Sequence, residues 1–150
     1  MILLVHMLFG SAIGSSISNP YLAITLAFLG HYFLDLFPHI EYDIEDIKHK
    51  RWKKAFPALV KVFLDFLIGV LIIFIFSKNQ PIVYLCGFVA LIPDGLTIVS
   101  SLFPNKIMAW HDDIHTKKIH YLTKQKKFPV FWRIATQAAV LAISIILIAR

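Results

Sequence analysis

The run Pro57-Ala-Leu-Val-Lys-Val-Phe-Leu-Asp-Phe-Leu-Ile-Gly-Val-Leu-Ile-Ile-Phe-Ile-Phe76 decides the class of fold. A helix of about 20 residues crosses a hydrocarbon core of about 30 Å, and within this run only Lys61 and Asp65 carry charge. Its apolar residues form a block and not a stripe of period 3.6, the pattern of a helix that faces lipid. The rest of the chain has the same character, with 58% of its 150 residues hydrophobic, 16% charged and a mean hydropathy of +0.72. Soluble domains are nearer a quarter charged. The sequence therefore predicts an all-α integral membrane protein, a single domain over residues 1–150 with no separate soluble part.

Four more apolar segments flank this run. Ile2 to Ile17 and Tyr21 to Phe37 precede it, with Asn19-Pro20 as the turn between them. Pro81 to Phe103 follows after the turn Ser77-Lys78-Asn79-Gln80, and Pro129 to Ala149 comes last. The first two are short for a full crossing, so they are expected inside the bundle or where the bilayer thins. Ile2 to Ser18 also has the length of a signal peptide, with Ser16 and Ser18 small enough for cleavage. It lacks the basic start of one and carries His6. Pro93 predicts a kink in the fourth segment, because it frees a carbonyl one turn earlier.

Charge sets the expected orientation. Lys48, Lys50, Arg51, Lys53 and Lys54 lie in the second-to-third connection, and Lys106, Lys117, Lys118, Lys124, Lys126 and Lys127 in the fourth-to-fifth, against Lys78 alone opposite. Both basic loops are thus expected in the cytoplasm, with the N-terminus inside and the C-terminus outside. The net charge of +6 then reports topology, and no nucleic-acid partner is expected. Residues Asn105 to Leu122, after Pro104, predict a helix lying on the membrane, with Ile107, Trp110, Ile114 and Tyr121 on one face. The expected architecture is a polytopic bundle of about five transmembrane spans, with this interfacial amphipathic helix before the last. The single cysteine, Cys86, excludes an internal disulfide and a four-cysteine zinc site, and reads as a small packed residue.

The function lies in the ionisable residues inside these segments. Each costs about 2.5–3.5 kcal/mol near the bilayer centre on insertion scales. Residues four apart share a helical face. His6, Gly10, Gly14 and Ser18 fall four apart in the first segment, as do Ala23, Ala27, His31 and Asp35 in the second, with His39 just past Pro38. Antiparallel packing sets small residues against small residues near one leaflet, and His6 level with His31 and Asp35 near the other. Lys61 and Asp65 stand one turn apart and can pair. Asp94-Gly95 follows the expected kink, where the glycine marks a close approach. Arg133 and Gln137 lie toward the inside of the last span. His111 and His115, at i and i+4, can ligate one ion from one helical face, with His120 further on. His49 sits among lysines and is expected to be solvated. Imidazole with carboxylate suits zinc, manganese or iron.

His6 in an apolar first helix, the His31-xxx-Asp35-xx-Pro38-His39 end of the second and the later Leu91-Ile92-Pro93-Asp94 resemble the membrane-bound metal-dependent hydrolases of bacteria and archaea, in their small integral membrane members. The resemblance covers scattered motifs over most of the chain, of which the second-helix segment is the specific one. It implies a helical protein of the cytoplasmic membrane, with a His/Asp metal centre and hydrolytic activity carried by His6, His31, Asp35, His39 and Asp94. Larger members show Pro-Asp-x-Asp-His and an Arg-Gly-x-x-His-Ser-like run. Here Pro93-Asp94 leads into Gly95-Leu96-Thr97, which leaves His111 and His115 as candidates for part of that work. A fainter likeness, to zinc-dependent phospholipases C, rests on His-xxx-Asp with a later His. The Asp35-to-His39 spacing is shorter than theirs, so their ligand scheme does not carry over whole. His111-Asp-Asp-Ile-His115 with Asp94-Gly95 also resembles intramembrane metalloproteases, but lacks their Glu and reverses the motif order, and is read as coincidence.

Three functions fit these residues. In the first, a divalent transition metal, zinc by its ligand types, is held by His6, His31, His39, Asp94, His111 and His115. Asp35 and Asp94 are its catalytic carboxylates, and Lys61 and Arg133 hold the anionic group of a lipid or lipid-linked ester or phosphoester at the cytoplasmic leaflet. In the second, Asp65, Asp94, His31 and Lys61 form an ion or proton pathway, which for five spans requires a homo-oligomer. In the third, the polar residues join helices in a non-catalytic membrane protein whose partners are the bilayer itself or proteins at the basic loops.

Overall fold

Every regular element among the described residues is helical in the computed structural model, which describes residues 1–42, 45–103, 105–120 and 128–150, without the side chains of Lys48 and Lys117. In chain order these are α1 (Leu3–Ser16), α2 (Pro20–Leu34), α3 (Glu45–Lys48), α4 (Trp52–Phe76), α5 (Pro81–Val89), α6 (Ile92–Leu102) and α7 (Lys106–Asp112). A π-helical segment (Asp113–Ile119) and α8 (Val130–Ile148) follow.

Local chemistry sets the boundaries. α1 stops where Ile17 turns extended, and Asn19 caps α2 by accepting the Leu22 N–H at 3.1 Å, with Pro20 as the first helical residue. Pro38 prevents α2 from continuing, and Asp35 closes it. Lys78 and Asn79 both take left-handed backbone angles, with φ of 51° and 57°, which reverses the chain into α5.

α4 and α8 have the length and apolarity to cross a membrane, and α5 with α6 makes a third crossing when the bent pair is taken as one span. That pair bends by 42°. α5 ends at Val89 and Pro93 sits in the first turn of α6, as the position of the proline requires. The expected five spans thus become two or three by length and composition. α1 and α2 have 14 and 15 residues, too short for a bilayer core at about 1.5 Å per residue.

α1 is the central helix, packed against α5, α8, α2 and α4. Met7, Leu8 and Ala12 of α1 meet Ile73 of α4, Val83 of α5 and Ile148 of α8 in the main apolar cluster. α4 and α8 surround it with outward apolar side chains, among them Phe63, Leu67, Leu71, Phe74, Phe131, Trp132, Ile143 and Ile146. An apolar surface on both long helices suits lipid and not water.

The glycine seam of α1 faces α5. A Cβ at Gly10 would stand 2.5 Å from the Cys86 carbonyl oxygen, and one at Gly14 2.9 Å from that of Ile82. Sequence spacing set these glycines against Ala23 and Ala27 of α2, yet those alanines cluster with Cys86 of α5 as well. α5 is thus the helix that the small residues of both α1 and α2 admit closely. Cys86 is buried and free, the packed residue expected.

The stretch expected as an interfacial helix, Asn105 to Leu122, is helical over α7 and the π-helical segment, with Ile107 and Trp110 exposed. Pro104, Tyr121, Leu122, Lys124, Lys126 and Lys127 lie outside the described residues. Asp65 pairs not with Lys61 but with the Tyr42 hydroxyl, and accepts the Leu4 N–H at 3.5 Å, so it caps α1. Burial and that bond hold the Tyr42 phenol well above its ordinary pKa. His49 is exposed and pairs with Glu45, as a solvated residue would.

Candidate metal centre

Five histidines surround one carboxylate at the ends of α1 and α2. Asp35, the residue that closes α2, is fully buried. Its Oδ2 lies 3.2 Å from His31 Nε2, 3.1 Å from His115 Nε2 and 3.3 Å from His120 Nε2. Its Oδ1 lies 3.2 Å from His6 Nε2 and 3.8 Å from His39 Nε2, and the Met1 backbone nitrogen stands 2.6 Å from the same oxygen. Asp94, at the start of α6 beyond the bend, brings Oδ1 to 3.5 Å from His31 Nε2 and 3.9 Å from His115 Nε2. Its side chain is 38% exposed, whereas Asp35 is closed off, so Asp94 marks an open side of the cluster.

The imidazoles are aimed. His31 Nδ1 donates to the Ala90 carbonyl at 2.7 Å, and His39 Nδ1 to the Phe37 carbonyl at 2.6 Å. Both carbonyls only accept, so in the neutral ring Nε2 carries the lone pair. The Thr97 hydroxyl gives its proton to the Pro93 carbonyl and accepts from His115 Nδ1 at 2.9 Å. His31 Nε2 and His115 Nε2 then face each other at 3.2 Å, two lone pairs turned together beside a carboxylate. Without a proton or a cation between them that contact is repulsive.

A cation fits. Two ligand atoms on a tetrahedral ion with bonds of 2.0–2.1 Å lie about 3.3 Å apart. The triangle of His31 Nε2, His115 Nε2 and Asp35 Oδ2 has sides of 3.2, 3.1 and 3.2 Å. Three sets among the described residues bring their ligand atoms within 4.8 Å of one another: His31, Asp35 and His115; Asp35, His39 and His120; and His6, His31 and Asp94. His6 stacks on His31 at 3.8 Å between ring centroids; its Nε2 stands 3.2 Å from Asp35 Oδ1, while its Nδ1 is buried with no hydrogen-bond partner among the described residues. A polar group left that way costs about 1–3 kcal/mol, which a bound ion offsets.

His120 enters the site through the π-helix. In an α-helix residues five apart diverge by about 140°. In a π-helix the bond runs from i to i+5 and brings them onto one side, and here the His120 N–H bonds to the His115 carbonyl at 3.3 Å. His120 Nδ1 meets Glu41 Oε1 at 2.9 Å, and His39 Nε2 meets the same oxygen at 3.0 Å. Burial works against a charge on His120, but hydrogen bonds to Asp35 and Glu41 prevail and hold its pKa above the ordinary value. A divalent ion can stand where that proton stands.

Of the candidates read from sequence, His6, His31, Asp35, His39, Asp94 and His115 converge here. His111 does not join a ligand set among the described residues; its Nε2 meets the Tyr32 hydroxyl at 2.9 Å. Burial, and then His115 nearby, lower the His111 pKa, which favours the neutral ring that accepts the phenol proton. Lys61 lies on the exposed face of α4. Arg133 Nε donates to the His39 carbonyl at 2.7 Å, and Thr136 donates to the Pro38 carbonyl, so α8 grips the loop that presents His39. Glu41, Thr97 and His120 were not singled out by spacing. No family model, curated protein or solved structure matches the chain.

Thr97→Val keeps the side-chain shape but removes the acceptor that fixes the His115 ring. Ion affinity is expected to fall by about 10–100-fold, read by competition with a chromophoric chelator, with helical content by circular dichroism unchanged.

Proposed function

We propose that this chain is a metal-dependent hydrolase of the cytoplasmic membrane, related to the membrane-bound hydrolases that its motifs resemble, and that it cleaves an ester or phosphoester of a lipid or lipid-linked substrate. The observation that carries this reading is the near-equilateral triangle of His31 Nε2, His115 Nε2 and Asp35 Oδ2, at 3.1–3.2 Å. It has the size of one face of a tetrahedral zinc site. In this reading α1, α2, α4, the α5–α6 pair and α8 are the five membrane-embedded segments. The ends of α1 and α2 that carry His6 and Asp35 then lie at the inner face, level with His111 of α7 and His115 of the π-helical segment.

His31, His115 and Asp35 would hold a divalent ion, whose chemistry when bound would be to acidify a water and polarise the scissile bond. Asp94, on the open side, would take the proton of the attacking water as that water's oxygen bonds to the carbonyl carbon or phosphorus. The ester bond breaks, and the departing alkoxide receives the proton from Asp94. Thr97 and the Ala90 carbonyl hold His115 and His31 in register throughout.

The test is hydrolysis of nitrophenyl phosphodiester and carboxylic-ester probes by zinc- and manganese-loaded protein in detergent. Metal-dependent turnover that drops at least about 100-fold in Asp94→Asn, with ion content retained, supports the reading. Equal rates for the loaded, the stripped and the variant protein overturn it.

A further inference from the structure

We propose that the centre takes two divalent ions, with the Asp35 carboxylate bridging them. The inference deepens the reading above, since a pair of ions held this way serves a phosphoester. One ion would use His31, His115 and Asp35, with Asp94 beside it as the base and not as a ligand. That leaves His39 and His120, which form a ligand set of their own on the same Asp35.

The outer contacts of this second set match those of the first. His31 and His39 each give the Nδ1 proton to a backbone carbonyl, and His115 gives its proton to the Thr97 hydroxyl. His120 turns Nδ1 to Glu41 Oε1 at 2.9 Å. In His31, His115 and His120 one nitrogen is tied to an outer acceptor while Nε2 lies 3.1–3.3 Å from Asp35 Oδ2, the arrangement found where imidazole ligates a metal. His39 Nε2 lies between Glu41 Oε1 at 3.0 Å and Asp35 Oδ1 at 3.8 Å. An outer carboxylate on a ligand imidazole, as Glu41 is on His120, raises the ring's basicity toward the ion.

The second set is looser than the first. His39 Nε2 is 3.8 Å from Asp35 Oδ1 and His120 Nε2 is 3.3 Å from Oδ2, so this position suits a larger coordination shell, bounded on its outer side by Glu41, whose Oε1 is 3.0 Å from His39 Nε2. All these residues but Glu41 are buried. Two ions about 3.5–4 Å apart clamp both the attacking and the leaving oxygen of an in-line displacement at phosphorus. The chemical class this assigns to the substrate is a phosphate ester, and Glu41 and Asp94, the partly exposed carboxylates, border its entry.

The experiment is titration of chelator-stripped wild-type protein in detergent with Co2+, followed by metal analysis after dialysis and by electron paramagnetic resonance. Two equivalents are expected, with the signal per ion falling as the second binds and the spins couple through the shared carboxylate. His120→Ala and His39→Ala are each expected to hold one equivalent with an uncoupled signal. Saturation of the wild type at one equivalent, or two equivalents without coupling, overturns the bridged pair and leaves the single-ion reading standing. No stoichiometric uptake overturns both.

Discussion

Asp35→Asn is expected to empty the proposed centre: the variant should retain no stoichiometric divalent ion after dialysis, with an affinity lowered by more than the roughly 10–100-fold typical of an outer partner. Both carboxylate oxygens serve the site. Oδ2 faces His31, His115 and His120, and Oδ1 faces His6 and His39. An amide keeps the shape but offers one weak acceptor and turns two N–H donors toward those rings. The same change removes the negative charge that balances the buried imidazoles, and breaking a buried pair costs about 3–5 kcal/mol. A lower thermal midpoint is therefore expected alongside the loss of metal. Asp94→Asn separates the two effects, because Asp94 is partly exposed and Asp35 is not. That variant is expected to keep its fold and, on the proposed reading, its ion.

Gly10→Val is the second large effect, and it acts from within the packed core. A Cβ at Gly10 stands 2.5 Å from the Cys86 carbonyl oxygen and 2.6 Å from the Ala90 Cβ, so α1 and α5 must part. Overpacking of this kind costs about 1–3 kcal/mol. It reaches the proposed metal centre because the Ala90 carbonyl is the group that orients His31. The expected result is a drop in thermal midpoint together with at least about a tenfold loss of ion affinity. Gly95→Ala is the control. Gly95 has open space around the position of a Cβ, and the change is expected to leave both properties near wild type.

These effects show which parts of the molecule are local in sequence and which are not. The helices and their turns were legible because apolar blocks, Asn19-Pro20 and Pro93 act on their immediate neighbours. His31 and Asp35 were legible because four-residue spacing runs to the cap of α2, and His39 because it directly follows the Pro38 that ends the segment, although a loop and not the helix presents it. His120 was hidden because its alignment with His115 depends on a π-helical stretch, for which the sequence gives no periodic sign. Glu41 and Thr97 were hidden because their roles are to aim another residue's ring, and that needs the partner's position. The glycine seam was read against α2, the nearest helix in sequence, whereas close approach selected α5. Arg133 was read as an anion holder from its charge, and its contact is the backbone of His39.

X-ray absorption of the zinc-loaded protein tests the central claim most directly, that buried imidazoles and Asp35 ligate a metal. The account predicts a first shell of nitrogen and oxygen at about 2.0–2.1 Å, with the outer-shell scattering of two imidazoles per ion. A shell of oxygen alone, with no imidazole scattering, would contradict it.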